Sequence, residues 1–212
     1  MAYNWIVYDT DAAGSMSTSE KENNVEIIYS ILTTEYNWTL EAICGALGSM
    51  EMESSFNPGQ WEIGHKPDPV PPLGYGYGYG YGLIQWTTPS YPDYPNPYLN
   101  YCGLNGIDRL DGTEQVKYLN TGITSSVLWG WISTAEYPIS FAEYVKSTDP
   151  PATLASVWFH NLERPPAGDT TEPYRRERAE YWYTWLSGKP PIPPQPEKIR
   201  KSMPLWMYLK IF

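Results

Sequence analysis

Cysteine, histidine and basic side chains are the scarce residues of this sequence, and each scarcity excludes something. There are 2 Cys and 2 His in 212 residues. Cys44 and Cys102 have no histidine at ligand spacing, and His65 and His160 lie far apart in the chain, so no metal site and no cofactor are expected. A Cys/His peptidase built on Cys102 and His160 has no motif behind it. Two buried, unpaired thiols are the expected state, with a disulfide between them as the alternative. Lys and Arg number 14 against 24 Asp and Glu, a formal charge of −10. That balance argues against nucleic acid as a partner, because phosphate binding is driven by Lys and Arg, and it gives no steering toward an anionic polymer. No apolar run reaches the roughly 20 residues of a membrane span. Residues 1–10 carry aromatics but no basic leader, so no signal peptide is expected.

Aromatics, by contrast, are abundant: 10 Trp and 19 Tyr. Such rings pack in cores and also stack on sugar faces. The chain reads as an arm over 1–18, one domain over 19–188, a proline-rich linker over 189–196 and a tail over 197–212 that mixes Lys and Arg with Leu, Trp, Tyr, Ile and Phe. Tyr3 to Tyr8 alternates as a short strand or extended arm. Ser19-Glu20-Lys21-Glu22 reads as a capping box for a helix to about Glu35. Further helices are expected from Asp111 onward, over 141–147 behind Ser140, from Asp149-Pro150-Pro151, and from about Pro173 to Leu186 with Ala179, Trp182, Tyr183 and Leu186 on one face. The stretch Tyr91 to Tyr101 reads as loop. The Gly-Tyr run from Gly74 to Gly82 reads as a tolerated repeat expansion, or else as an aromatic lip. The expected fold class is α+β, mainly α.

The chain is organised around TLEAICGALGSMEMESSFNP, residues 39–58. Thr39 caps a helix whose Leu40, Ile43, Leu47 and Met50 share one face. The small residues Ala42, Cys44, Gly45, Ala46 and Gly48 admit a second helix at close range, so the helix is expected to be central. Pro58 forbids its continuation. Glu53 therefore stands at a helix C-terminus, where a carboxyl group is disfavoured as an anion and tends to hold its proton. A general acid for glycosidic bond cleavage needs that property. Glu51, two positions away on nearly the opposite side of the helix, reads as solvated.

Three ordered motifs, Gly48-Ser49-Met50-Glu51-Met52-Glu53-Ser54, Gly82-Leu83-Ile84-Gln85-Trp86-Thr87 and Glu163-Arg164-Pro165, resemble those of the phage tail lysozyme family within the lysozyme-like superfamily. Ser49 stands where that family usually has Asn. The resemblance spans roughly Ser19 to Leu186. It implies a lysozyme-like fold with a central catalytic helix and a small β-hairpin lobe forming the other wall of the cleft. It further implies a muramidase cleaving the β-1,4 bond between N-acetylmuramic acid and N-acetylglucosamine of bacterial peptidoglycan. The chain would act in the virion tail during wall penetration, or in the host cell at lysis.

Glu53 is the expected general acid. Glu62 and Asp68, both in the presumed lobe, are the candidates for a second carboxylate, and the sequence does not choose between them. Ser54, Tyr81, Gln85, Trp86 and Thr87 are the expected substrate contacts, with core packing as the alternative for Trp86. Glu163 and Arg164 read as a charged pair closing a helix before Pro165. Two other functions stay open: a lytic transglycosylase that releases 1,6-anhydro products, and a non-catalytic wall-binding module of the tail. Residues 197–212 read as docking on another tail protein or on the domain itself, as an interfacial membrane contact, or as disordered.

Overall fold

The computed structural model describes residues 3–67, 79–87, 96–125 and 130–193, with side chains left aside for 122–125. Seven α-helices order the described residues: α1 (Thr18–Tyr36), α2 (Leu40–Ser54), α3 (Pro97–Asn105), α4 (Gly112–Ser125), α5 (Phe141–Tyr144), α6 (Pro151–Trp158) and α7 (Glu172–Leu186). A π-helical turn, Phe159–Glu163, extends α6.

The central helix forms as its sequence dictates. The Thr39 side chain accepts the Ala42 N–H at 3.2 Å, and the helix closes on two successive left-handed residues, Ser55 and Phe56, with φ of 53° and 63°. Every residue from Ala42 to Glu51 is buried. α2 packs chiefly against α7 and α6. Gly48 makes the first contact: a Cβ there would collide with the backbone carbonyl of Arg175 on α7. Around this pair lies the core, which includes Ile28, Ile31, Ile43, Leu47, Phe56, Leu154, Trp158 and Trp182. Cys44 and Cys102 are both buried and unpaired within it.

Three expectations are corrected. The capping box of α1 lies two residues earlier than the sequence suggests: the Glu20 carboxylate accepts from the backbone N–H and the hydroxyl of Ser17, at 2.8 and 2.7 Å. The stretch read as loop, Tyr91 to Tyr101, is helical from Pro97 on, where the helix Pro97–Asn105 begins. Asn96 caps it by accepting from Tyr98 N and Leu99 N, and Pro97 occupies the first turn, where its missing N–H costs nothing. Glu51 is buried rather than solvated. It accepts from Lys21 of α1 and from Arg178 and Trp182 of α7, which makes it a polar link among three helices.

The described residues do not show the β-hairpin lobe. Among the described residues there are only three isolated bridges, Thr10 with Gln60, Trp61 with Tyr81, and Tyr81 with Trp86. Side chains replace a ladder here. Asn57 donates to Tyr8 O and accepts from Tyr8 N, and Asn24 does the same for Ile6, so two buried amides pair with the extended arm. Most of the Gly-Tyr run, Asp68, and the tail over 197–212 lie outside the described residues.

Candidate active-site cleft

The end of α2 is tied to the segment Gly82–Thr87 by main-chain and side-chain bonds. The buried Ser54 hydroxyl donates to Leu83 O at 2.9 Å and sits 3.2 Å from Met50 O. From the other side the buried Gln115 of α4 accepts Leu83 N at 2.8 Å and donates to Pro58 O at 2.7 Å. The segment itself is a tight turn closed by Tyr81 and Trp86 exchanging backbone bonds at 3.2 and 3.0 Å. Gly82 takes φ 81° there, and a Cβ on it would collide with the Gln115 and Trp86 side chains. Gln85, also at positive φ, is held by two bonds from its amide nitrogen, to Gln60 O and Gly82 O, both 3.1 Å.

These bonds place Glu53, Gln85 and Thr87 together in the floor of a cleft with two lobes. One lobe, about 500 Å³, is walled by Ser54, Gln60, Glu62 and Ile63, with Ala13 and Gly14 of the arm opposite. The other, about 440 Å³, is walled by Trp86, Phe159, Glu163, Arg164 and Arg175. Glu53, Gln85 and Thr87 line both.

Of the residues singled out from sequence, Glu53, Ser54, Glu62, Gln85 and Thr87 line the first lobe, and Trp86 lines the second with its ring almost wholly buried. Tyr81 is corrected to a core residue. It has no exposure, packs on Trp61 at 4.5 Å and receives a hydrogen bond from Arg109 at 2.9 Å. Alternation beside a glycine-rich turn does not say which face of the turn is covered, and here Trp61, Tyr98 and Arg109 cover it. Asp68 lies outside the described residues. Glu62 has 47% of its side chain exposed, accepts Gly80 N at 2.9 Å and stands 3.9 Å from His65.

Glu163 and Arg164 do not pair with each other. Arg164, in the left-handed region at φ 51°, turns away to donate to Gly130 O. Glu163 instead meets Arg175 at 2.8 Å, and the same guanidinium reaches Glu53 at 2.7 Å. Arg175 is 5% exposed and lies 4.6 Å over the ring of Phe159. Burial, the nearby charge of Glu53 and, in opposition, Arg175 set the Glu163 carboxyl, which is pushed up to about 8. Sequence reasoning missed Arg175, although a signal was present: positions 175, 179, 182 and 186 share one helix face, so an arginine lies in line with three apolar core residues. The cleft wall from Ala13 and Gly14 had no signal at all, since contact between the arm and α2 is purely tertiary.

Among the described residues no cluster of His, Cys, Asp and Glu could hold a metal ion. Comparison with known proteins gives the family. The family model for phage tail lysozyme matches residues 23–186. Morphogenesis protein 1 of Bacillus phage B103 is 31% identical over 174 residues, which cover 82% of this chain and 42% of that protein. The chain thus spans about two fifths of the length of that relative. With the match running from α1 to the end of α7, through the helix that ends in Glu53 and the turn that carries Gln85, the chain belongs to the phage tail lysozyme family.

Proposed function

We propose that this chain is a peptidoglycan hydrolase, a muramidase that cleaves the β-1,4 bond between N-acetylmuramic acid and N-acetylglucosamine with Glu53 as general acid. The observation that carries this reading is the cleft with Glu53 at the junction of its two lobes. A polymer cut in mid-chain needs sugar subsites on both sides of the scissile bond, whereas a small substrate needs one closed pocket. In this reading Glu53 protonates the bridging oxygen. Glu62, on the facing wall of one lobe, stabilises the cationic sugar or activates water, and Asp68 stays a candidate for the same part. Gln85 and Thr87 position the sugar at the junction. Trp86 lines the second lobe.

Lytic transglycosylation is the second reading. The Glu62 carboxylate is already engaged by Gly80 N–H and faces His65, which favours a single-acid route in which the muramic 6-hydroxyl attacks. The name of the Bacillus phage relative speaks of morphogenesis. That supports a particle component penetrating the wall over a lysin released at lysis. Other tail proteins are the partners proposed for residues 197–212, with membrane contact as the alternative.

Purified peptidoglycan treated with the wild type and with Glu53→Gln tests this. The wild type is expected to clear it and the folded variant to fail, with product masses of reducing-end saccharides for hydrolysis and of 1,6-anhydro saccharides for transglycosylation. Equal clearing by the variant removes Glu53 from the chemistry. A wild type that binds without clearing makes the chain a wall-binding module.

A further inference from the structure

Arg175 carries two carboxylates on one guanidinium. Glu53 lies 2.7 Å from Nη2 and Glu163 lies 2.8 Å from Nη1. The remaining donors of Arg175 reach Thr171 Oγ1 and Ser49 O, which are uncharged. The neighbouring cations are committed elsewhere: Arg178 to Glu51 and Arg164 to the Gly130 carbonyl. The other titratable groups that act on this pair are the Tyr144 phenol of α5, which is neutral, and Asp169 ahead of α7, whose anion acts on Arg175 from outside. One cation, 5% exposed, thus faces two acids of which one, Glu163, has 14% of its side chain exposed. Two anions on one buried guanidinium would leave an uncompensated negative charge in a poorly solvated site, so one acid keeps a proton.

At the inner end of Glu163 the buried Ser49 and Trp158 act on the carboxyl in favour of its anion, but burial and the charge of Glu53 outweigh them.

We infer that Glu53 and Glu163 share a single proton across Arg175, and that filling the cleft moves this proton onto Glu53. The inference rests on the reading of Glu53 as the acid. Glu53 has 24% of its side chain exposed against 14% for Glu163, so in the empty cleft the proton rests on Glu163. A glycan over the cleft strips water from Glu53. As the glycan settles, Glu163 releases its proton to solvent and Glu53 takes one up from solvent before the sugar covers it, while Arg175 shifts its pairing to the Glu163 anion. The net charge of the trio stays at zero throughout. Glu163 is therefore a positioning residue for the proton, and it touches no reacting atom.

The test has two arms. In the wild type, the side-chain carboxyl carbon of Glu53, assigned with Glu53→Gln, is followed by 13C NMR as pH rises. It is expected to show a step near the pH at which Glu163 ionises, in addition to its own, because coupled acids titrate as a pair. A single step that ignores Glu163 overturns the inference, and this arm needs no turnover. In the second arm, Glu163→Gln keeps an oxygen toward Arg175 but removes the anion that frees Glu53. The basic limb of kcat/KM is expected to move down by about 2 pH units, with activity at pH 7 lowered at least about ten-fold and activity near pH 4.5 kept within about two-fold. A uniform loss at all pH values, with the limb in place, marks a merely structural residue and overturns it.

Discussion

Replacing Gly48 by alanine sets two effects of opposite sign against each other. In an exposed helix interior, Gly→Ala stabilises by about 1 kcal/mol, since alanine loses less backbone entropy. Here the added methyl would collide with the Arg175 carbonyl and come within 3.1 Å of Ala179 N and 3.2 Å of Ala179 Cβ. The obstacle is backbone of α7, which cannot rotate out of the way. Overpacking of this kind costs about 1–3 kcal/mol, and a rigid obstacle points to the upper end. The net expectation is a loss of about 1–2 kcal/mol, read by urea unfolding followed through tryptophan fluorescence at pH 7. Because α7 must move outward and carries Arg175, peptidoglycan clearing should fall as well. Gly45→Ala is the companion, since its methyl would meet Leu154 Cβ at 2.7 Å on α6. It should cost similar stability with less effect on the cleft. A Gly48→Ala protein as stable as the wild type would refute the claim that this glycine sets the distance between α2 and α7.

Asp9 anchors the arm through Arg109, Trp61 and Lys66. Burial alone would raise its pKa, but the bonds from Arg109 and Trp61 outweigh it and bring the carboxyl from 3.8 down to about 2. The stabilisation is thus present above pH 3.8 and lost as pH falls through about 2. With 29% of the side chain exposed, Asp9→Asn should cost about 1 kcal/mol at pH 7 and almost nothing at pH 2, and equal losses in unfolding experiments at the two pH values would contradict it. Glu51→Gln should cost roughly 3 kcal/mol, because Arg178 and Lys21 lose the anion they share in a buried site; thermal unfolding checks this, and a shift of under a degree would contradict it. Ser54→Ala removes the bond to Leu83 O and should cost about 1 kcal/mol, while raising KM by loosening the Gln85 turn. Glu163 adds a pH term of the opposite sign to Asp9. The unfolded chain ionises near 4.5 and the folded one only near 8, so stability should decline across that window in the wild type and stay flatter in Glu163→Gln.

What was legible in the sequence was local. The cap at Thr39, the apolar spacing from Leu40 to Met50 and the stop at Pro58 are decided by nearest neighbours on the chain, so α2 and the place of Glu53 at its end could be read directly. So could the need for a close partner at Gly45 and Gly48, since small residues in a run leave no other use for that face. The helix over Pro97–Asn105 was hidden because a Tyr, Pro and Asn composition masks an Asn cap followed by proline at the first turn. Alternation near Tyr81 gave no side, because which face of a turn is buried depends on what lies across from it.

The sequence by itself thus determined most of the helices, the cap of the central one and the acid at its end, all set by interactions within a few residues. Only the tertiary structure decided which charges meet. Arg175 stands between Glu53 and Glu163 because α7 crosses α2 at Gly48, Glu51 is buried by the same crossing, and the arm closes the cleft through Asn24 and Asn57. Those pairings join residues separated by 12 to 131 positions, and no periodicity along a chain encodes a contact made between separate elements.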